Sequence, residues 1–212
     1  MKFIDQYIKD QPKANWILEN SQLPWLQLQI MVPVNEIFQE WKAVENKAVA
    51  HRDSDSLYNL KNKGWKSLTL YGVSSSITTA TIDQPLSWTD TADSCPVTVD
   101  WIKKNFIINE DTGRIRFMFL EPGGYILPHV DRQNSRLSEI NVAITQPIGC
   151  HFKFKNYGII PFTSGSAFII DTSKEHAVYN KSNEPRLHII LHTKVNEQLL
   201  EKSYGHCYHS VE

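Results

Sequence analysis

The chain has 212 residues, 41% of them hydrophobic and 21% charged, and a formal net charge of −1. That length suits one sizeable domain, and the composition is that of an ordinary globular protein. Near-zero charge gives no electrostatic case for nucleic acid or an anionic membrane as partner, and no apolar run approaches the roughly 18 residues a membrane span needs.

The N-terminus, Met1-Lys2-Phe3-Ile4-Asp5-Gln6, lacks a continuous apolar core after its single Lys, so no signal peptide is expected. Phe3, Ile4, Tyr7 and Ile8 recur at helical spacing until Pro12 stops the segment. Ile37, Phe38, Trp41 and Val44 repeat the pattern after Asn35, a candidate N-cap. Residues 50–63 are polar and read as loop. From Trp65 the character changes to strands: Trp65–Tyr71 alternates, and Ser76–Ile82 is rich in β-branched residues. Pro96 to Phe106 returns to helix, with Val97, Trp101 and Ile102 expected on one buried face.

Asp111-Thr112-Gly113 is a turn, and strand candidates follow it at Arg114–Leu120, Glu139–Thr145, Cys150–Phe154, Ala167–Ile170 and Arg186–His192. Pro122-Gly123-Gly124 and Pro128 are expected to end the first of these. A short helix closes the chain at Asn196–Tyr204. Short strands with regular turn signals predict a mainly β protein with flanking helices, a cupin-like double-sheet jelly roll. The whole of 1–212 reads as a single domain. Residues 1–60 form a helical region on an outer face, 65–195 the strand core, and 196–212 a C-terminal helix and tail. Cys95, Cys150 and Cys207 are odd in number and include no CxxC, which fits free thiols in a reducing cytoplasm.

His129-Val130-Asp131 carries the chemistry. In an extended segment residues i and i+2 point the same way, so both side chains can reach one ion. His176, after the apolar run Phe168–Ile170 and a polar turn, supplies a second imidazole at a strand start. Two His and one carboxylate suit non-haem Fe(II) and leave coordination positions for substrate and O₂ chemistry. Arg186, ten residues further on, offers a fixed charged fork for a dicarboxylate. Together these suggest a 2-oxoglutarate-dependent oxygenase. On that strand Arg186, His188, Ile190 and His192 share one face, and Leu187, Ile189 and Leu191 share the other. Arg186 on the inner face must be paired, by a bound carboxylate or by Glu184 or Glu121, and His188 can add a hydrogen bond to the same ligand.

From Trp65 to about Val195 the chain resembles the aspartyl/asparaginyl β-hydroxylase family of Fe(II)/2-oxoglutarate oxygenases. The segments that carry the likeness are Trp65–Tyr71, Glu121-Pro122-Gly123-Gly124-Tyr125-Ile126-Leu127-Pro128-His129-Val130-Asp131, Arg136-Leu137, Gly165–Asn180 and Arg186-Leu187. The resemblance implies a double-stranded β-helix barrel with iron held by His129, Asp131 and His176. It places the far carboxylate of 2-oxoglutarate on Arg186 and implies oxidative decarboxylation of that cosubstrate to succinate and CO₂ as a C–H bond is hydroxylated. Animal aspartyl hydroxylases carry Gly where Asp131 stands; the complete triad resembles bacterial members such as free-proline cis-hydroxylases. The family's further His, a ligand for the near carboxylate, falls in Ser138-Glu139-Ile140-Asn141, where Asn141 is the comparable polar group, and the family's Ser aligns with Met118. Arg132 and Arg136 are candidates for a substrate carboxylate.

The expected activity is therefore hydroxylation of a free amino acid or an amino-acid side chain, with Fe(II), 2-oxoglutarate and O₂, acting on a small-molecule or peptide substrate. A cupin-type metal enzyme of another class would use three or more His. A non-catalytic barrel binding a small acid would keep Arg186 without needing the triad.

Overall fold

The computed structural model describes residues 23–51, 63–77, 84–110, 112–131, 138–193, 199 and 202. Its elements in chain order are β1 (Trp25–Leu28), α1 (Val34–Val44), a 3₁₀ turn (Glu45–Lys47), β2 (Val49–Ala50), β3 (Lys63–Gly72), β4 (Ser87–Trp88), α2 (Asp90–Asp93) and α3 (Pro96–Asn105). Then come β5 (Ile115–His129), β6 (Ser138–Thr145), β7 (Cys150–Phe154), β8 (Gly158–Ile159), β9 (Ala167–Ile170), β10 (His176–Asn180) and β11 (Arg186–Thr193). Residues 3–12, most of Ser76–Ile82, Asp111 and most of Asn196–Tyr204, for which the sequence made predictions, lie outside the described residues.

All strand pairings are antiparallel and join one curled sheet in the order β1-β9-β6-β11-β5-β10-β7-β8, with β3 also on β5 and β2 and β4 on β3. β5 makes the curl. Its first half pairs with β3 and β11, Leu120 opposite Trp65 and Arg186, while Tyr125–His129 pairs with β10. One strand therefore belongs to both faces of a jelly roll, and side chains on the inside of the curl share one interior.

The expected break at Pro122 is corrected here: the strand runs through Pro122-Gly123-Gly124 and Pro128. A register shift opposite Lys63–Trp65 absorbs the turn residues, so Pro122 gives up no needed ladder hydrogen bond. Gly123 takes φ +68, and a Cβ on Gly124 would lie 2.8 Å from both the Glu121 and Lys63 carbonyl oxygens. We expect Gly124→Ala to cost about 1–3 kcal/mol through this crowding. A urea unfolding midpoint equal to wild type would show that the bend tolerates a side chain.

Two cores flank the sheet. On the convex side Leu68, Phe117, Ile140, Val142, Leu187, Ile189 and Leu191 pack against Ile37, Trp41 and Val44 of α1 and Trp101 and Ile102 of α3. Trp41 lies over Phe117 at 5.2 Å and Phe119 at 5.5 Å. Glu40 of α1 accepts hydrogen bonds from Val97 N, Thr98 N and Thr98 Oγ1. A carboxylate thus satisfies the open N–H groups and positive end of α3, which ties the two helices together. Inside the curl Trp25, Leu120, Ile126, Phe152, Phe154, Phe162, Phe168, Ile170 and Val178 form the second core.

Three details differ from the sequence reading. The region before residue 60 contains strands β1 and β2 as well as a helix, because β9 and β3 offer it edges to pair with. Asn35 lies inside α1, whose cap position is Pro33 with no side-chain cap. Val97 is exposed; α3 buries Thr98, Val99, Trp101 and Ile102 instead, since Val97 sits at the capped first turn. Among the described residues no helix is long and apolar enough to cross a membrane.

Candidate metal centre and cosubstrate site

Antiparallel register between β5 and β10 sets His129 directly opposite His176, and their rings lie 4.3 Å apart. Just past the end of β5, Asp131 N donates to Thr172 O, which holds the acid against the turn before β10. His129 Nε2 is 3.8 Å from Asp131 Oδ1, and His176 Nε2 is 3.7 Å from Asp131 Oδ2. One donor atom from each residue falls within 4.8 Å of the others. Donors about 2.1 Å from a shared ion stand roughly 3–4 Å apart, so the set needs only a small contraction to close on one.

The tautomers fit the same purpose. His129 Nδ1 lies 2.7 Å from Leu127 O, and His176 Nδ1 lies 2.9 Å from Lys174 O. A carbonyl accepts only, so each Nδ1 carries the proton and each Nε2 presents a lone pair towards Asp131. Phe152 stacks on the His176 ring at 5.1 Å and Phe154 flanks it at 5.6 Å. Burial, foremost, lowers the pKa of His176, with the neighbouring His129 adding to the effect. The imidazole is therefore kept neutral, the form a metal ligand requires.

Arg186 and His188 enter the same interior from β11, 3% and 0% exposed. Gln146 Nε2 donates to Cys150 O at 2.6 Å, which turns its Oε1 towards His188 Nε2 at 2.9 Å. His188 therefore bears its proton on Nε2, and its Nδ1 accepts from Arg186 Nη2 at 2.8 Å. The Asn141 amide approaches the same nitrogen at 2.5 Å. Burial and the Arg186 charge hold His188 well below the usual histidine pKa. Arg186 is pushed down to about 10, mainly by burial, and still carries its charge at neutral pH.

Neither Glu184 nor Glu121 pairs with this guanidinium; Glu121 is engaged by Lys66 at 2.6 Å. Arg186 Nε is buried with no hydrogen-bond partner. A buried, fixed guanidinium with an open edge is the donor set a bound carboxylate completes.

The structure thus brings His129, Asp131 and His176 together, and Arg186, His188 and Asn141 together. Phe152 and Phe162 link the groups, touching His176 and His188 respectively and lying 6.4 Å from each other. Arg132 and Arg136 lie outside the described residues. Sequence reasoning missed Gln146 and the aromatic floor. The alternation Cys150–Phe154 does put Phe152 and Phe154 on one face, but nothing local says that this face meets His176.

The profile of the aspartyl/asparaginyl beta-hydroxylase family matches residues 33–195. No curated protein sequence matches the chain. The fold is similar to that of a prolyl hydroxylase from Trichoplax adhaerens, solved with a hypoxia inducible factor peptide: 9% identity, 96% of each chain covered, TM-score 0.57. It is similar to a 2OG-Fe(II) oxygenase family oxidoreductase from Burkholderia pseudomallei at 8% identity, covering 88% of this chain and 92% of that one, TM-score 0.54. A Pseudomonas putida prolyl-4-hydroxylase matches at 12% identity over 85% of this chain and 97% of the other, TM-score 0.50. At such identities these likenesses establish the jelly roll alone. The family match covers most of the chain and spans every element of the barrel, and on that ground the protein belongs to the aspartyl/asparaginyl β-hydroxylase family, as an oxygenase that uses Fe(II), 2-oxoglutarate and O₂.

Proposed function

We propose that the protein hydroxylates a C–H bond of a free amino acid or an amino-acid side chain. His129, Asp131 and His176 hold the iron, and Arg186 grips the far carboxylate of 2-oxoglutarate. His188, locked by Gln146, fixes the guanidinium plane, and Asn141 borders the cosubstrate. Arg132 and Arg136 take the substrate carboxylate. Fe(II) with 2-oxoglutarate and O₂ supplies the oxidation, with succinate and CO₂ as co-products.

The observation that carries this reading is the pairing of two sites in one interior. Three neutral or anionic donors converge at one end, and a buried guanidinium with an open edge waits at the other. The apolar rings between them exclude water, which strengthens each charged contact made there. Prolyl hydroxylases share the fold, one of them solved with a peptide, so the barrel admits either a small molecule or a peptide.

Adding Fe(II) and 2-oxoglutarate without O₂ should produce a visible metal-to-ligand charge-transfer band. A colourless complex, with iron shown to be bound elsewhere, would sink the assignment.

A further inference from the structure

The barrel interior holds a carboxylate that neither the triad nor the cosubstrate grip employs. Glu139 lies near the start of β6, directly across from His192 on β11 and Ile170 on β9. It therefore shares the inward face with Asn141 and Phe168, and its side chain is 10% exposed. Asp131, Arg116 and Arg186 are all within electrostatic reach of it. That places Glu139 at the metal end of the interior, beside the position where a reacting C–H bond must lie.

No cation touches Glu139 among the described residues. His192 Nε2 is 3.7 Å away, beyond hydrogen-bond range. His192 is pushed down to about 3 by burial and by Arg116, so it is uncharged at neutral pH. Arg116 and Arg186 act on the carboxylate from a distance, and Asn141 offers a neutral amide. Burial, foremost, and then Asp131 raise its pKa to about 8. A buried acid in this state is completed by a cation brought by a ligand.

We propose that Glu139 receives the protonated amine of the substrate, so that the hydroxylated molecule carries an aliphatic ammonium group beside the reacting carbon. This rests on the oxygenase reading above and narrows it from amino-acid derivatives in general to amine-bearing ones. Such an amine comes from a free amino acid or from the lysine side chain or N-terminus of a peptide. Glutamine has the shape of glutamate and still hydrogen-bonds, so Glu139→Gln removes the charge and preserves any neutral packing role.

The experiment is succinate release by the iron-loaded full-length enzyme with the twenty free L-amino acids, short peptides with a free N-terminus or a lysine, and the N-acetylated form of each. Acetylation of the amine should abolish stimulation by the active compound. Glu139→Gln should raise the KM for that compound about tenfold to a hundredfold, as expected for one lost charge-assisted hydrogen bond, and leave the KM for 2-oxoglutarate in place. Whether a free amino acid or a peptide is active identifies the source of the amine. The proposal is overturned if the acetylated form turns over equally, if the Gln variant keeps the wild-type KM, or if no amine-bearing compound stimulates release. The anaerobic charge-transfer band separates the two failures. Its absence from wild type removes the iron and cosubstrate assignment itself; its presence with any overturning outcome removes only the amine site.

Discussion

Replacing His176 with Ala or Gln should weaken Fe(II) binding by more than about a hundredfold and abolish succinate formation. The bound is set by remoter effects: mutating only the groups that orient a metal ligand costs 10–100-fold, and here a ligand itself is lost. His176 is the most buried member of the triad, 4% exposed, with Nδ1 anchored on Lys174 O and the ring against Phe152. The Ala variant leaves a cavity between phenyl rings that costs on the order of 2 kcal/mol, whereas Gln largely fills it. If both metal-free variants unfold near the wild-type denaturant midpoint and neither binds iron, ligation rather than packing is lost. Undiminished succinate formation in either variant would exclude His176 as a ligand.

Arg186→Met should weaken 2-oxoglutarate by about 2–5 kcal/mol, some thirtyfold to several thousandfold in Kd, with iron affinity unchanged. The guanidinium reaches the bound state already oriented by His188, so little entropy is left to lose when the carboxylate arrives. The same burial predicts an opposite effect on the empty protein. An enclosed charge without a carboxylate contact is costly, and methionine of similar length removes that cost. Cosubstrate-free Arg186→Met should therefore unfold at the same or a higher denaturant concentration than wild type. Wild-type cosubstrate affinity in the variant, or a large loss of stability, would reassign Arg186 to the framework.

Much of the barrel was legible locally. Cys150–Phe154 and Ala167–Ile170 are strands at the residues where turn signals bound them. The split of β11 into a polar inner row and a Leu187-Ile189-Leu191 outer row holds, because strand periodicity is a local property. His129, Asp131, His176 and Arg186 could be singled out by residue type and spacing before any contact was known.

Other features depend on partners distant in the chain. Pro122-Gly123-Gly124 reads as a strand end, yet β3, β11 and β10 supply pairing on either side and carry the strand through. β1 is four residues long and exists because β9 presents an edge. The 4.3 Å approach of the two histidine rings comes from cross-strand register, which a sequence pattern does not specify. The charge states of His188 and Glu139 follow from burial among groups on other strands.

By itself, then, the sequence determined which residues have the chemistry to hold iron and a dicarboxylate, and that alternating strands would carry them. The tertiary structure decided which of those groups meet, because register and burial are set by long-range antiparallel pairing. That pairing closes the triad, locks Arg186 through His188 and Gln146, and leaves Glu139 as an enclosed acid facing the same interior.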